Sequence, residues 1–246
     1  MEQNEYAIMY TTENTYWWYR GLHELVGTYV AHCAHNAGIS LMILDAGCGT
    51  GRMMELVQGY GSVEGVDYSQ EALKFCAYRG LRSVASQDLT TWIPPQGKYD
   101  IIISLDVLCH RAINDEEEVY GKFFQALKPG GMLILNLPAF ELLKRKHDQA
   151  VHTKKRFVKR PTMNVLEKKG YHIACASYRL PFLFAILLAK KAMERISSDK
   201  NIHSDLKLLP NWLNSILLFC NRIENMMISS GFSMPFGSSL FLVAQK

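Results

Sequence analysis

One stretch governs what this chain can become. Leu41-Met42-Ile43-Leu44 is a short apolar run ending in Asp45; Gly47, Gly49 and Gly51 follow at alternate positions, and a helical pattern then runs from Arg52 to Gln58. An apolar strand that ends in an acid, turns on glycines and re-enters a helix is the first unit of a ligand-binding α/β sheet, because glycines allow a sharp turn and close approach of a ligand to the backbone. The alternation continues, with strands expected at 62–66, 81–85, 99–105 and 131–136 and helices at 69–78 and 115–127. Lys128-Pro129-Gly130-Gly131 ends a helix and feeds the fifth strand. Strands separated by helices imply a mainly parallel sheet covered on both faces.

Beyond Pro138 the rhythm changes. Residues 139–160 are polar and basic, 162–169 read as a short helix, Tyr171 to Ala176 as a sixth strand and Ser239 to Ala244 as a seventh. Amphipathic helices expected at 182–196 and 211–228 lie between the last two strands, too much chain for a plain connection. At the other end, residues 13–36 open with Tyr16, Trp17, Trp18 and Tyr19 and continue at helical spacing. The expected fold is α/β: a Rossmann-like, seven-stranded, mainly parallel sheet with helices on both faces. Its organisation reads as an N-terminal helical cap over 1–40, a core over 41–180 and 237–246, and a helical lid inserted over 181–236.

The 246 residues suffice for one such domain. Cys33, Cys48, Cys76, Cys109, Cys175 and Cys220 form no CxxC pair, which fits a reduced, cytoplasmic protein. The first residues lack the basic and apolar regions of a secretory leader, and the longest strongly apolar run, Leu180 to Ala189, is about half of the ~20 residues needed to cross a bilayer. The formal net charge is only +4, yet Lys144, Arg145, Lys146, Lys154, Lys155, Arg156, Lys159 and Arg160 crowd one segment. This segment reads either as a solvated helix face or as an anion-binding surface.

A second strand ends at Asp67, placing another carboxylate where it can accept the hydroxyls of a ribose. A nicotinamide site needs GxGxxG; the loop here is GxGxG preceded by an acid, which disfavours a dehydrogenase. The Asp-x-Gly-x-Gly-x-Gly loop resembles motif I of class I S-adenosylmethionine-dependent methyltransferases. That resemblance implies that Asp45, Gly47, Cys48, Gly49 and Gly51 hold the methionine part of the cofactor. It also implies that Asp67, with Tyr68 beside it, holds the ribose, that Gln87, Asp88 and Leu89 lie near the adenine, and that Leu105 and Asp106 flank the cofactor from the fourth strand. A narrower resemblance, to a bacterial subgroup associated with lipid, glycan and secondary-metabolite pathways, rests on three stretches: Glu13 to Arg20, the His147-Asp148-x-x-x-His152 region with Phe157, and Leu209-Pro210 through Leu213-Asn214 with Pro235 to Leu240. The sequence departs from that subgroup at Val151, where glycine is frequent, and at Phe157, where tyrosine is usual.

Trp17 and Trp18 are expected either to close over the ligand site or to anchor the first helix, and Arg20 either to hold the cofactor carboxylate or to lie on the surface. His110, His147 and His152 are candidate bases, with Asp148 as a base or as an orienting partner one helical turn from His152. No further Cys or His cluster completes a metal site, so none is expected. The lid helices read either as ordinary packing or as a greasy cover for an apolar acceptor near anionic lipid. The expected activity is methyl transfer to a small or lipid-like acceptor, most simply at oxygen, with nitrogen and carbon as alternatives. A non-catalytic cofactor-binding protein is the rival class. Nucleic acid is not an expected partner, and peripheral contact at the inner membrane face is the localisation alternative.

Overall fold

A computed structural model describes residues 3–38, 40–145, 148–149, 151–196 and 209–246. Seven strands form one sheet: β1 Leu41–Ala46, β2 Gly61–Asp67, β3 Val84–Ser86, β4 Tyr99–Leu105, β5 Leu127–Pro138, β6 His172–Arg179 and β7 Ser239–Gln245. Their order is β3-β2-β1-β4-β5-β7-β6. Strands β1 to β5 pair in parallel, whereas β7 inserts antiparallel between β5 and β6. Chain order reverses between β1 and β4. A crevice therefore opens there at the carboxyl ends of the strands, where ligands of such sheets bind.

Eight helices accompany the sheet among the described residues: α1 Gln3–Thr12, α2 Trp17–Ala37, α3 Arg52–Val57, α4 Gln70–Tyr78, α5 Glu116–Ala126, α6 Lys159–Lys168, α7 Pro181–Ile196 and α8 Asn211–Ser229. The central strand is apolar on both sides: Ile101 and Ile103 pack with Leu22, Leu25 and Val26 of α2 on one face, and Ile102 packs with Val119, Tyr120 and Phe123 of α5 on the other. Caps fix the helix starts that matter most. Ser69 accepts the Ala72 amide at α4, and Asp115 accepts the Glu117 and Glu118 amides at α5, where Glu116, Glu117 and Glu118 also suit the helix dipole.

Three elements differ from expectation. The N-terminal helix breaks at 13–16, and a separate α1 precedes it. Tyr6, Met9 and Tyr10 supply α1's inner stripe, although polar neighbours dilute the pattern in sequence. β3 is a three-residue edge strand at 84–86 and not the run 81–85. β5 extends back through the glycine turn to Leu127.

The two helices between β6 and β7 do different things. α8 packs on α2, where Arg222 grips Glu24 in a two-pronged pair and the Asn225 side-chain amide donates to the Gly21 carbonyl. α7 instead lies over the turn that follows β5, with Lys191 Nζ donating to the Leu142 carbonyl. No helix among the described residues is long and apolar enough to cross a membrane.

Candidate active site

A cavity of about 1080 Å³ occupies the crevice. Its first half is built on the glycine loop. Gly47 and Gly49 have φ of 90° and 53°, and a Cβ on Gly47 would lie 2.2 Å from Val107 Cγ2, so only glycine fits. The Gly47 and Cys48 amides donate to the Val66 carbonyl, and the Gly49 amide donates to Asp67 Oδ2, locking the loop to the end of β2. The Ser69 amide takes the other Asp67 oxygen. Burial raises the Asp67 pKa against these bonds.

Asp45 is 3% exposed, and its Oδ2 has no hydrogen-bond partner. Burial, with Asp67 adding to it, pushes its pKa up to about 7. A buried carboxylate oxygen left unpaired is costly unless something cationic reaches it. The sulfonium and ammonium groups of S-adenosylmethionine are of that kind, so the donor set fits this cofactor. Asp88 accepts from the Thr90 amide and hydroxyl, and with Gln87, Leu89 and the exposed Tyr68 it lines the far end.

Above the loop sits α1, which sequence reasoning missed. Tyr6 and Met9 line the cavity, and the Met9 terminal methyl lies 2.9 Å from where a Gly49 Cβ would stand. A buried clamp holds this cover. Glu13 Oε1 accepts from Arg79 Nη2 at 2.6 Å and from the Thr50 hydroxyl at 2.6 Å, and Arg79 also reaches the Thr50 carbonyl and lies over the Tyr10 ring.

Trp17 and Trp18 both line the cavity, and both also anchor α2: Trp17 packs on Phe182 at 5.7 Å and is 3% exposed, while Trp18 meets Tyr19 edge-on at 5.0 Å. Cys48 packs with Met54 and Cys76, its sulfur 4.0 Å from that of Cys76. Two expected contacts are corrected. Arg20 does not line the cavity: α2 turns Trp17, Leu22 and Leu25 inward, leaving Arg20 outside and 3.7 Å from Glu24. Gly51 lies beneath the loop as the N-cap of α3, at φ 80° against Leu81 and Cys76.

The second half of the cavity lies past β4. Leu105 and Asp106 mark the boundary. Asp106 has φ of 57°, and burial pushes its carboxyl up to about 6 although the Asn136 side-chain amide donates to it at 2.9 Å. The 107–113 loop joins the 151–155 segment, with the Arg111 amide donating to the His152 carbonyl and the Lys154 amide to the Cys109 carbonyl. His110 and His152 line the cavity with ring centres 5.5 Å apart. His110 Nδ1 accepts the Ala112 amide, and burial, helped by His152 and Arg111, lowers its pKa to about 4.

Asp148 is corrected as a base. Its carboxylate accepts Arg156 Nε at 2.8 Å, Arg156 Nη2 at 3.1 Å and the Arg145 amide at 2.8 Å, all in a buried setting, so it anchors the segment. His152 sits in a turn at φ 59°, not one helical turn along from Asp148. His147 lies outside the described residues. His23, half-buried and lowered to about 3 by desolvation and by Arg52, Arg79 and Arg179, lines the cavity without a sequence signal to mark it.

The family model for a methyltransferase domain matches residues 43–131, the span from β1 to the entry of β5. A solved S-adenosylmethionine-dependent methyltransferase from Archaeoglobus fulgidus superposes with a TM-score of 0.57 at 17% identity, covering 91% of this chain and 94% of that one. The chain has the class I S-adenosylmethionine-dependent methyltransferase fold. S-adenosylmethionine is the cofactor of that fold. Among curated relatives, phosphoethanolamine N-methyltransferase 1 of Zea mays is 33% identical over 101 residues, 38% of this chain and 20% of that protein. Ubiquinone biosynthesis O-methyltransferase of Burkholderia ambifaria is 31% identical over 138 residues, 49% of this chain and 56% of that protein. The match thus spans a fifth to just over half of the length of these methyltransferases.

Proposed function

We propose that this chain transfers a methyl group from S-adenosylmethionine to a small or lipid-like acceptor, most simply at oxygen. The observation that carries this reading is the unpartnered, buried Asp45 Oδ2 beneath the glycine loop, at one end of a cavity that continues past β4 to α7. Asp45 would hold the cofactor's ammonium, the oxygens of Asp67 left between the Gly49 and Ser69 amides would take the ribose hydroxyls, and Gln87 to Leu89 would flank the adenine. Trp17 and Trp18 would exclude water where the two halves meet. Bound there, the cofactor supplies an electrophilic methyl group on a sulfonium.

Alignment provides much of the rate of an in-line displacement. The acceptor oxygen forms its bond to the methyl carbon as the carbon–sulfur bond breaks, and the hydroxyl proton needs a destination. His152 is our candidate: Asp148 is held by Arg156, and a pKa near 4 makes His110 a weak base. Both relatives above are named as methyltransferases, one an N-methyltransferase and one an O-methyltransferase. The experiment is calorimetry with S-adenosylhomocysteine followed by a metabolite panel scored for S-adenosylhomocysteine production. Binding with turnover supports the enzyme. Binding without turnover on any acceptor supports a binding module, and no binding ends the proposal.

A further inference from the structure

Helix α8 is built inside out. The side it turns to the fold carries Asn221, Glu224 and Asn225 beside Leu218 and Ile228, all buried. The three polar side chains fasten it there: Asn221 accepts from Arg179, Glu224 accepts the Leu180 amide, and Asn225 donates to the Gly21 carbonyl. The side it turns outward is apolar. Trp212, Ile216, Phe219, Ile223 and Met226 are 66%, 50%, 64%, 42% and 63% exposed. A helix whose outer face meets only water carries polar residues there. The five outward residues also lie off the cavity, so a bound cofactor or acceptor does not cover them.

Their spacing points to what does. The steps from 212 to 226 are four, three, four and three, the alternation of the a and d positions of a coiled coil. Ser215, Arg222 and Ser229 border the stripe on one side and Leu213, Cys220 and Met227 on the other. A stripe confined to a and d is narrow and suits one other helix. A helix that lies on a membrane is instead rich in lysine and arginine on its polar face, whereas Arg222 is the one cation of α8 and is gripped by Glu24. The connection ahead of α8, residues 197–208, has Ile202, Leu206 and Leu208 as its large apolar side chains, too few to match five positions.

A second copy of the chain meets these requirements. A two-fold pair needs one patch that complements itself, and an uncharged stripe beside a neutralised Arg222 does so without like-charge repulsion. With about 150–250 Å² for each aromatic side chain, the exposed parts of the five residues amount to roughly 600 Å² per copy, most of the ~800 Å² that each partner gives to a standard interface. We propose that α8 is a homodimer seam, in which two copies pair through Trp212, Ile216, Phe219, Ile223 and Met226 with the middle residue, Phe219, at the two-fold axis.

The test is sedimentation equilibrium of the full chain from low to high micromolar concentration. The parent protein should form a dimer. Phe219→Glu sets two carboxylates face to face at the axis and should weaken association by about a hundredfold or more. Ile216→Ser adds no charge and should weaken it by about tenfold or more. Both positions are exposed, so circular dichroism and S-adenosylhomocysteine affinity should match the parent. A parent that is monomeric throughout this range, or two folded variants that associate like the parent, overturns the seam. A monomer that binds vesicles of phosphatidylglycerol in phosphatidylcholine, and loses them on Phe219→Glu, assigns the stripe to lipid and overturns the seam as well.

Discussion

The two halves of the cleft turn their backbones by different means. At β1 the chain reverses on Gly47, Gly49 and Gly51, residues for which a positive φ carries little cost. Past β4, β5 and β6 it does so on Asp106, Phe140 and Leu180, and again on His152, all at φ between 56° and 59°. Each such residue costs on the order of 1–3 kcal/mol and persists only where its surroundings enforce it. Phe140 is enforced by stacking on Tyr178 at 4.6 Å, and Asp106 by donating its amide to the Asn136 carbonyl at 2.8 Å. A cheap, sequence-encoded turn thus serves the half that fits the cofactor, whereas strained turns held by packing shape the half assigned to the acceptor.

If the halves are separable, variants should affect one without the other. The largest effect is expected from His152→Ala: a loss of about 10²–10⁴ in single-turnover rate, with S-adenosylhomocysteine affinity unchanged. Equal losses in both would mean that the ends work as one unit. Next is Arg156→Ala, which leaves Asp148 as an unpaired buried charge and should cost about 3–5 kcal/mol in denaturant unfolding. The protein that remains folded should bind S-adenosylhomocysteine normally. Gly47→Ala is the converse. At φ 90°, with Val107 in the way, it should lower cofactor affinity by more than about tenfold and stability by about 1–3 kcal/mol.

The same contrast explains what could be read before folding. The glycine triad, the acids at 45 and 67 and the strand–helix alternation are legible because a period or an obligatory residue type marks each. The acceptor half hides its geometry because no residue type announces a left-handed Asp106 or His152. The basic run from 144 to 160 read as one surface, yet folding buries Arg145 and Arg156 and scatters the lysines among separate partners. Helical spacing between Asp148 and His152 suggested a pair, until Arg156, eight residues on from Asp148, took the carboxylate. The clamp of Glu13 on Arg79 joins residues 66 apart, a distance over which no periodicity speaks.

The central claim is that Asp45 receives the cofactor's cation, and the pH dependence of S-adenosylhomocysteine affinity, measured by calorimetry in parent and Asp45→Asn protein, tests it most directly. In the free protein burial raises this carboxyl to about 7, so below that pH the group is protonated and must release its proton before it can pair with the ammonium. Affinity should therefore rise with pH up to about 7 by as much as about tenfold per unit and level off above it, with proton release in the rising range. Asp45→Asn should bind about tenfold to a hundredfold more weakly at pH 8, with a flat profile. Because the folded carboxyl titrates above its unfolded value, it weakens the free protein as pH rises through about 7, so Asp45→Asn should also raise the melting temperature at pH 8. A parent protein whose affinity does not change across neutrality, or an Asp45→Asn protein that binds as tightly as the parent, would contradict the account.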